Sequence, residues 1–342
     1  MNYSQIIRFF NTLTIMNRRD FLKVSGSGIV GIALSGGVLS SCGKDPENGG
    51  QTPSQPLIET ATGHFSLQQV SSTTPNGNYA DNIGNSYILR TSGGKVIVMD
   101  GGLEGDAPHL RDLLLNKYGG VVDQWWVSHP HGDHIGAMIA ILQNPQGITV
   151  KEVYHSRFTG SLLTSEGGNG SPVRILYAIL DESKTIVTHD IQSVGGLYEI
   201  DGVLIKVLGI SNPELLMTEN ETSPYNNSSM ILRVWDADKS VIFLGDAQEE
   251  CGDKLLTTNS RFYRYLTCDY LQMAHHGQQG VKESFYKSIT FKYCLWPTPS
   301  WVWNPAAGSK LQTNRTKEWV TKKGIGEDKW IVSCLTKDWI LE

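Results

Sequence analysis

The sequence lacks an excess of positive charge, and it lacks an uninterrupted apolar run long enough to span a membrane. Its 342 residues contain 29 Lys and Arg against 34 Asp and Glu, a net charge of −5 at pH 7. Without residues 1–41 the balance is 25 basic to 33 acidic side chains, a net charge of −8. We therefore expect no tight binding to nucleic acid or to an anionic membrane surface through a basic patch.

Cysteine is also scarce, and none of the five cysteines belongs to a C-x-x-C pair. A disulfide among the four that follow residue 42 is allowed, whereas burial as small apolar side chains is the favoured alternative. With 39% hydrophobic and 18% charged residues, the composition excludes a disordered chain, a collagen-like repeat and a coiled coil.

The first 41 residues have the pattern of an export signal. Arg18 and Arg19 open the run R-R-D-F-L-K, and a Gly-rich apolar stretch follows as far as Leu39. The pattern resembles a twin-arginine signal, and L-S-S-C at 39–42 resembles a lipobox. We expect export to the periplasmic side or the cell surface, lipidation at Cys42 and a flexible tether over residues 42–62. The alternative for Cys42 is a free or buried thiol.

Residues 63–342 predict a single domain in which short apolar strands alternate with helices, giving mixed sheets covered by helices. A hairpin is predicted at 86–89 and 95–99, and helices at 108–118 and 135–142. Further strands are predicted at 121–127, 150–154, 196–200, 203–208, 230–234, 241–244 and 270–274.

The most informative run is S-H-P-H-G-D-H-I-G at residues 128–136, between a predicted strand and a predicted helix. Neutral imidazole and carboxylate are the ligands that a catalytic divalent ion takes, with one position open for water. We predict that one ion binds His129 and His131 and that a second ion binds Asp133 and His134.

Two later fragments also follow apolar strands. Gly245-Asp246 would place a carboxylate at a strand end, where it can bridge two ions, and His275-His276-Gly277 ends the next candidate strand. Each fragment alone is a weak signal. Their order along the chain, each at the end of a strand, supports a metal site.

With these motifs the body resembles the metallo-beta-lactamase superfamily, from D-G-G at 100–102 to H-H-G at 275–277. The resemblance implies an α/β fold, the αββα sandwich, with two divalent metal ions at one edge, zinc or alternatively manganese. It implies that Asp100 orients ligands and that His275 neighbours the ligand His276. The implied metal ligands are His129, His131, Asp133, His134, Asp246 and His276.

Within the superfamily, the runs N-N-S-S-M at 226–230, L-G-D-A at 244–247 and H-H-G are most similar to the hydrolase domain of competence DNA-uptake (ComEC-type) proteins. Two departures stand out. The superfamily commonly supplies a further histidine after a strand equivalent to 203–208, where this chain has G-I-S-N-P, and Asn85 stands where the competence-type proteins carry an acid. We expect a weaker first metal site, or one that water or substrate completes. His155 and His189 are favoured as surface or satisfied histidines outside it, with the alternative that either folds into the site.

Two segments are candidates for substrate contact. One is the Asn-rich run before a strand, a pattern that also forms ordinary turns. The other is W-P-T-P-S-W-V-W at 296–303, whose rings can stack on a sugar, a base or a quaternary ammonium group, or alternatively form a rigid lid packed on the sandwich. The candidate side chains are Asn226, Asn227, Ser229, Trp296, Trp301 and Trp303.

Metal ligands of this kind predict hydrolysis by a metal-activated hydroxide. We expect Asp133 to orient the water, and His275 to protonate the leaving group or to serve a structural role. The competence-type resemblance implies phosphodiester or related phosphoric ester bonds in a small-molecule or cell-envelope substrate. The alternatives are a lactam, lactone or thioester hydrolase on the same fold, and a decayed domain that binds a glycan or a partner.

Overall fold

The central strands are apolar at nearly every position, so the side chains on both faces of each sheet are buried. In β3 (Val96–Asp100), Ile97 and Met99 pack between the sheets, whereas Val96 and Val98 pack under helices. The computed structural model describes residues 58–73, 80–211, 223–258 and 262–342. The predicted export signal, the lipidation site Cys42 and most of the predicted tether lie outside these residues.

The first sheet has seven strands in the described part of the chain, and β3 through β6 run parallel. The strands are β1 (Phe65–Gln69), β2 (Ser86–Thr91), β3, β4 (Val121–Trp126), β5 (Thr149–His155), β6 (Val187–Asp190) and β14 (Ile340–Leu341). Their order across the sheet is β14-β1-β2-β3-β4-β5-β6. The carboxyl ends of β3, β4 and β5 therefore meet at one edge.

The second sheet also has seven described strands, in the order β13-β12-β11-β10-β9-β8-β7, and β10 through β13 run parallel. The strands are β7 (Leu197–Ile200), β8 (Val203–Gly209), β9 (Ile231–Trp235), β10 (Ser240–Phe243), β11 (Tyr270–Gln272), β12 (Tyr293–Trp296) and β13 (Trp330–Val332). Side chains of both sheets form one buried core between them.

Helices cover the outer face of each sheet. The helices are α1 (Ala107–Asn116), α2 (Gly132–Gln143), α3 (Gly160–Glu166), α4 (Pro172–Glu182), α5 (Glu249–Thr258), α6 (Glu283–Ser288), α7 (Ser300–Trp303), α8 (Thr313–Lys322) and α9 (Ser333–Thr336). Helices α1, α2 and α4 pack on the first sheet, and α5, α6 and α8 pack on the second. The expected αββα sandwich is confirmed. Among the described residues, no helix combines the length and the apolar character needed to cross a bilayer.

The flexible tether is predicted over residues 42–62, but its last residues, 58–62, contact the domain. Trp235 donates a hydrogen bond from Nε1 to the carbonyl of Glu59 at 2.9 Å, and the Thr62 amide donates to the carbonyl of Gly202 at 3.0 Å. Ala61 is buried in the core under the second sheet. Residues 58–62 therefore belong to the domain, because they fill its surface beside β8 and β9.

The four cysteines of the described chain are free thiols. Cys251, Cys268 and Cys294 are buried, and burial raises the pKa of the Cys251 and Cys268 thiols to about 12. They act as small apolar side chains, the favoured alternative to a disulfide.

Candidate metal centre

The H-x-H-x-D-H run lies between the end of β4 and the first turn of α2. His131 is the N-cap of α2, with extended backbone angles (φ −75°, ψ 153°). The helix begins at Gly132, three residues before the predicted start, so Asp133 and His134 lie in its first turn, where the helix dipole favours an acidic residue. His129 and His131 precede the helix. The run thus divides into two pairs held by different backbone conformations.

Four side chains from three segments converge beside this turn. One ligand atom from each of Asp133, His134, Asp246 and His276 lies within 4.8 Å of the others, and all but Asp133 are buried. Asp246 Oδ1 lies 3.1 Å from His134 Nε2, and Asp246 Oδ2 lies 3.4 Å from His276 Nε2. Asp133 Oδ2 lies 3.2 Å from His276 Nε2. The cluster therefore has the donor set of a divalent metal site.

Two buried polar atoms of the cluster lack a satisfactory partner within the protein, which is expected of atoms that bind an ion. His134 Nε2 and Asp246 Oδ1 are buried without a well-aligned hydrogen bond. Such orphaned atoms are costly unless another group satisfies them. The donor set and its orphaned atoms fit a divalent cation, which Asp133, His134, Asp246 and His276 could hold.

Outer hydrogen bonds fix both histidines of this cluster so that Nε2 faces inward. Asp100 accepts a hydrogen bond from His134 Nδ1 at 2.7 Å, and the carbonyl of Pro297 accepts one from His276 Nδ1 at 2.9 Å. Asp100 is itself held by the Ser128 amide at 2.7 Å and by Asn85 Nδ2 at 2.8 Å. Partners of this kind set the tautomer and the orientation of a metal-ligating histidine.

Backbone strain is concentrated at the same place. Asp100, His275 and His276 have φ values of 53°, 50° and 54°, in the left-handed region that non-glycine residues seldom adopt. Gly245, with φ 55°, precedes Asp246, and a Cβ there would lie 2.9 Å from Ser128 and Ser229 side-chain atoms. Strained positions of this kind persist at functional sites because the surrounding structure fixes them.

The first histidine pair lies next to the cluster. His129 Nε2 is 3.0 Å from His131 Nδ1 and 3.9 Å from Asp246 Oδ2. The two ring atoms are thus close neighbours, and Asp246, a member of the four-residue cluster, also approaches His129. The superfamily commonly supplies a third histidine in the segment after β8, and the structure describes this segment as far as Ser211. The Ser156 hydroxyl donates a hydrogen bond to the Ser211 hydroxyl at 3.0 Å.

Sequence comparison identifies the family. A family model described as the metallo-beta-lactamase superfamily matches residues 79–281, more than half of the chain. The chain belongs to the metallo-beta-lactamase superfamily. It is a hydrolase of this superfamily with a buried His and Asp cluster that can hold metal. No curated protein sequence matches it significantly.

Solved structures of the superfamily fold are similar to this chain at low sequence identity. The metallo-beta-lactamase fold protein YhfI from Bacillus subtilis is 13% identical with a TM-score of 0.48, covering 81% of this chain and 98% of that one. A diphosphatase from the PhnP family is 13% identical with a TM-score of 0.43, covering 82% and 98%. Unliganded yeast PDE1 is 10% identical with a TM-score of 0.45, covering 77% and 95%. Assignment to the superfamily rests on the family model.

The charges of the cluster favour an ion of charge +2. Burial lowers the pKa of His134, but the carboxylates of Asp246, Asp100 and Asp133 outweigh burial and hold this pKa well above its usual value. The same balance, dominated by Asp246 after burial, raises the pKa of His276 to about 9. Two protonated histidines carry the charge of one divalent cation. A cation that displaces these protons therefore keeps the electrostatic balance of the cluster.

His275 lies beside the cluster and is contacted by the buried side chain of Asn226. His275 Nε2 lies 3.7 Å from Asp246 Oδ2 and 3.4 Å from Asn226 Nδ2, and His275 Nδ1 lies 3.3 Å from the carbonyl of Gln279. Burial lowers the pKa of His275, so its ring is mostly neutral at pH 7. Donation from Nδ1 to the Gln279 carbonyl leaves Nε2 as the atom that faces the site.

Asn227 and Ser229, predicted to contact substrate, are buried behind the ligands. Asn227 donates to Glu250 at 2.8 Å and accepts from the Cys251 amide at 3.3 Å, so it anchors the start of α5. Ser229 accepts from the Asp246 amide at 3.0 Å and lies 3.4 Å from His129 Nδ1. These contacts correct the substrate prediction for both residues, because they hold the ligand-bearing segments instead.

The Trp-rich segment is largely part of the core. Trp296 is fully buried, and its ring meets that of Trp303 at a centroid distance of 5.2 Å. Trp303 in turn packs against Trp330 at 5.7 Å. Burial corrects the prediction of substrate stacking for Trp296 and Trp303 and agrees with the packed-lid alternative. Trp301 is 47% exposed, and its contact with substrate stays a prediction.

Sequence reasoning missed Glu166, at the end of α3. Its Oε2 lies 2.9 Å from His131 Nε2. No motif surrounds this residue, and only tertiary packing brings it to the site. His155 and His189 lie outside the four-residue cluster. His189 pairs with Glu152 at 3.0 Å, and His155 is buried at the end of β5.

Proposed function

We propose that the protein hydrolyses phosphodiester or related phosphoric ester bonds with two divalent ions, zinc or alternatively manganese. The observation that carries the proposal is the position of Asp246. Its Oδ1 faces His134 and its Oδ2 lies 3.9 Å from His129 Nε2, so one carboxylate faces both groups of histidines. One ion would be held by Asp133, His134, Asp246 and His276. The other would be held by His129, His131 and Asp246.

When bound, such ions lower the pKa of water toward neutrality and polarise the oxygen under attack, and an adjacent pair suits the charge that develops on a phosphoryl group. The chain's own residues supply position and proton transfer. Asp133 is the least buried member of the four-residue cluster, so it can orient a water molecule. His275 can exchange a proton at Nε2, where Asn226 holds the ring.

The preference for phosphoric esters is supported by the sequence runs shared with competence-type hydrolase domains, at 226–230, 244–247 and 275–277. A net charge of −8 beyond residue 41 favours a small substrate or a cell-envelope component over long nucleic acid. Export and a lipid anchor at Cys42 are part of the same proposal, supported by R-R-D-F-L-K and L-S-S-C in the sequence.

The test is a panel of chromogenic substrates. We expect the zinc- or manganese-loaded protein to hydrolyse bis(p-nitrophenyl) phosphate, and Asp246→Asn to abolish this turnover. A chromogenic cephalosporin, a lactone and a thioester serve as competing substrates in the same assay. Preferential turnover of any of these three by the loaded protein would contradict the phosphoric ester assignment, and so would no turnover of any substrate.

A further inference from the structure

We propose that Glu166 is a positioning residue for the first metal site, where it holds His131 in the tautomer that offers Nδ1 to the ion. The inference rests on the proposed two-ion site. It concerns the pair His129 and His131, which lacks the third histidine that the superfamily commonly supplies after the strand equivalent to β8.

The geometry of His131 assigns one role to each ring nitrogen. Nδ1 lies 3.0 Å from His129 Nε2, and this separation suits two ligand atoms of one ion. Nε2, on the other edge of the ring, lies 2.9 Å from Glu166 Oε2. A carboxylate accepts hydrogen bonds and cannot donate them when ionised, so His131 must carry its proton on Nε2. Nδ1 then keeps its lone pair for the ion.

Glu166 is itself held in place by contacts from another segment. Its Oε1 accepts hydrogen bonds from the Ser223 hydroxyl at 2.6 Å and from the Tyr225 amide at 2.8 Å. The Tyr225 hydroxyl donates to the carbonyl of Leu163 in α3 at 2.7 Å. A Cβ at Gly167 would lie 2.3 Å from that hydroxyl, so the chain after Glu166 packs where only glycine fits. Glu166 therefore has a fixed position from which to orient the His131 ring.

The missing third histidine makes the Glu166 carboxylate more important for metal binding at the first site. With two histidines and a shared Asp246, the first site depends strongly on the orientation and basicity of each imidazole. A carboxylate behind a ligating histidine raises its basicity and fixes its ring, and loss of such a partner typically weakens metal binding by roughly 10- to 100-fold.

The variant Glu166→Gln tests this role sharply. Its amide oxygen can face either His131 or the two donors of Ser223 and Tyr225, but not both. If the amide nitrogen of Gln faces His131, it donates a hydrogen bond to Nε2, so the ring proton must move to Nδ1, the ligand atom. If the amide nitrogen faces Ser223 and Tyr225 instead, a donor meets the two groups that donate to Glu166, and the side chain loses its fixed position.

The chain contains a matched control. Glu152 Oε2 lies 3.0 Å from His189 Nε2, a pair with similar distance and exposure on β5 and β6, outside the described cluster. Glu152→Gln therefore removes the same kind of contact.

The experiment is a zinc titration of the metal-free full chain against a chromophoric chelator, with the visible spectrum of the cobalt-loaded protein as a second readout. We expect two binding events in the wild type. Glu166→Gln should weaken one of them roughly tenfold or more and change the spectrum of one cobalt ion. The control variant Glu152→Gln should titrate like the wild type.

Three results would overturn the proposal: one bound ion in the wild type, no selective weakening of one binding event in Glu166→Gln, or the same weakening in Glu152→Gln. The titration uses no substrate, so its outcome is separate from that of the proposed function. Two normal binding events in the wild type without turnover of any phosphoric ester would contradict the proposed activity. They would not contradict the role of Glu166.

Discussion

The neighbouring parallel strands β4 and β5 each lead into buried histidines, but the two strand ends differ in chemistry. After β4, His134 is surrounded by the carboxylates of Asp100, Asp133 and Asp246, which hold its pKa well above the usual value. At the end of β5, both ring nitrogens of His155 lack a hydrogen-bond partner among the described residues. Burial, only partly opposed by the charge of Asp190, lowers the pKa of His155 to about 4.

The difference shows that burial alone does not mark a metal ligand. Burial without a carboxylate produces a neutral ring that packs like an aromatic side chain, and His155 lies 5.4 Å from the ring of Tyr177. Burial among carboxylates produces a site that attracts a cation. The comparison predicts that changes after β4 affect metal and turnover, whereas a change at the end of β5 affects stability.

The largest effect is expected for Asp133→Asn. The variant keeps the shape of the side chain but removes a negative charge and a ligand from the cluster. Since a metal ion contributes several kcal/mol to transition-state stabilisation, we expect turnover of bis(p-nitrophenyl) phosphate to fall by about a thousandfold with the fold intact by circular dichroism. Asp181→Asn, on the exposed face of α4, is the control. Full activity in Asp133→Asn would refute the mechanism.

A smaller effect is expected for Asp100→Asn, which changes the partner of a ligand and not a ligand. The amide can no longer accept from His134, Ser128 and Asn85 together, so His134 loses its fixed tautomer. We expect zinc affinity of the cluster to fall roughly 10- to 100-fold in a chelator competition. Asp123→Asn, in β4, should leave this affinity unchanged. An unchanged affinity in Asp100→Asn would show that the outer carboxylate has no role.

His155→Leu tests the same comparison at the end of β5. The folded-state pKa of His155, about 4, lies below that of an unfolded histidine, so the unfolded chain binds more protons as the pH falls below about 6.5. The stability that the neutral His155 contributes is therefore fully present above this pH and is lost as the pH falls toward 4.

Leucine carries no such proton. Between pH 7 and pH 5 the variant should lose less stability than the wild type by about 2 kcal/mol, measured as the free energy of unfolding in urea. Zinc affinity and turnover at pH 7 should not change. Parallel stability curves for the two proteins, or a loss of zinc, would break the distinction between the two strand ends.

The smallest effect is a pH dependence of metal binding. Because the pKa of His276 is about 9, binding of zinc must displace a proton from this ring at neutral pH. Zinc affinity should therefore rise about tenfold per pH unit for each proton released, measured by chelator competition at pH 6 and pH 7. An affinity that does not change with pH would contradict the protonation of the cluster.

The sequence was sufficient for the ligand-bearing segments because each follows an apolar strand. The H-x-H-x-D-H run, Gly245-Asp246 and His275-His276 all stand where parallel strands end, and such ends meet at one edge of a sandwich. Glu166 could not be predicted, since α3 has no motif and is placed beside His131 by tertiary contacts, among them the hydrogen bond from the Tyr225 hydroxyl to the Leu163 carbonyl. Burial of Trp296 could not be predicted either, because it depends on Trp303 and Trp330 from later segments.

The central claim is that the residues around Asp246 hold catalytic metal. The direct measurement is the metal content of the purified protein by elemental analysis, together with hydrolysis of bis(p-nitrophenyl) phosphate before and after chelation. We expect about two zinc or manganese ions per chain and turnover that a chelator abolishes and added metal restores. A protein that contains no such ion, and gains neither metal nor turnover when metal is added, would contradict it.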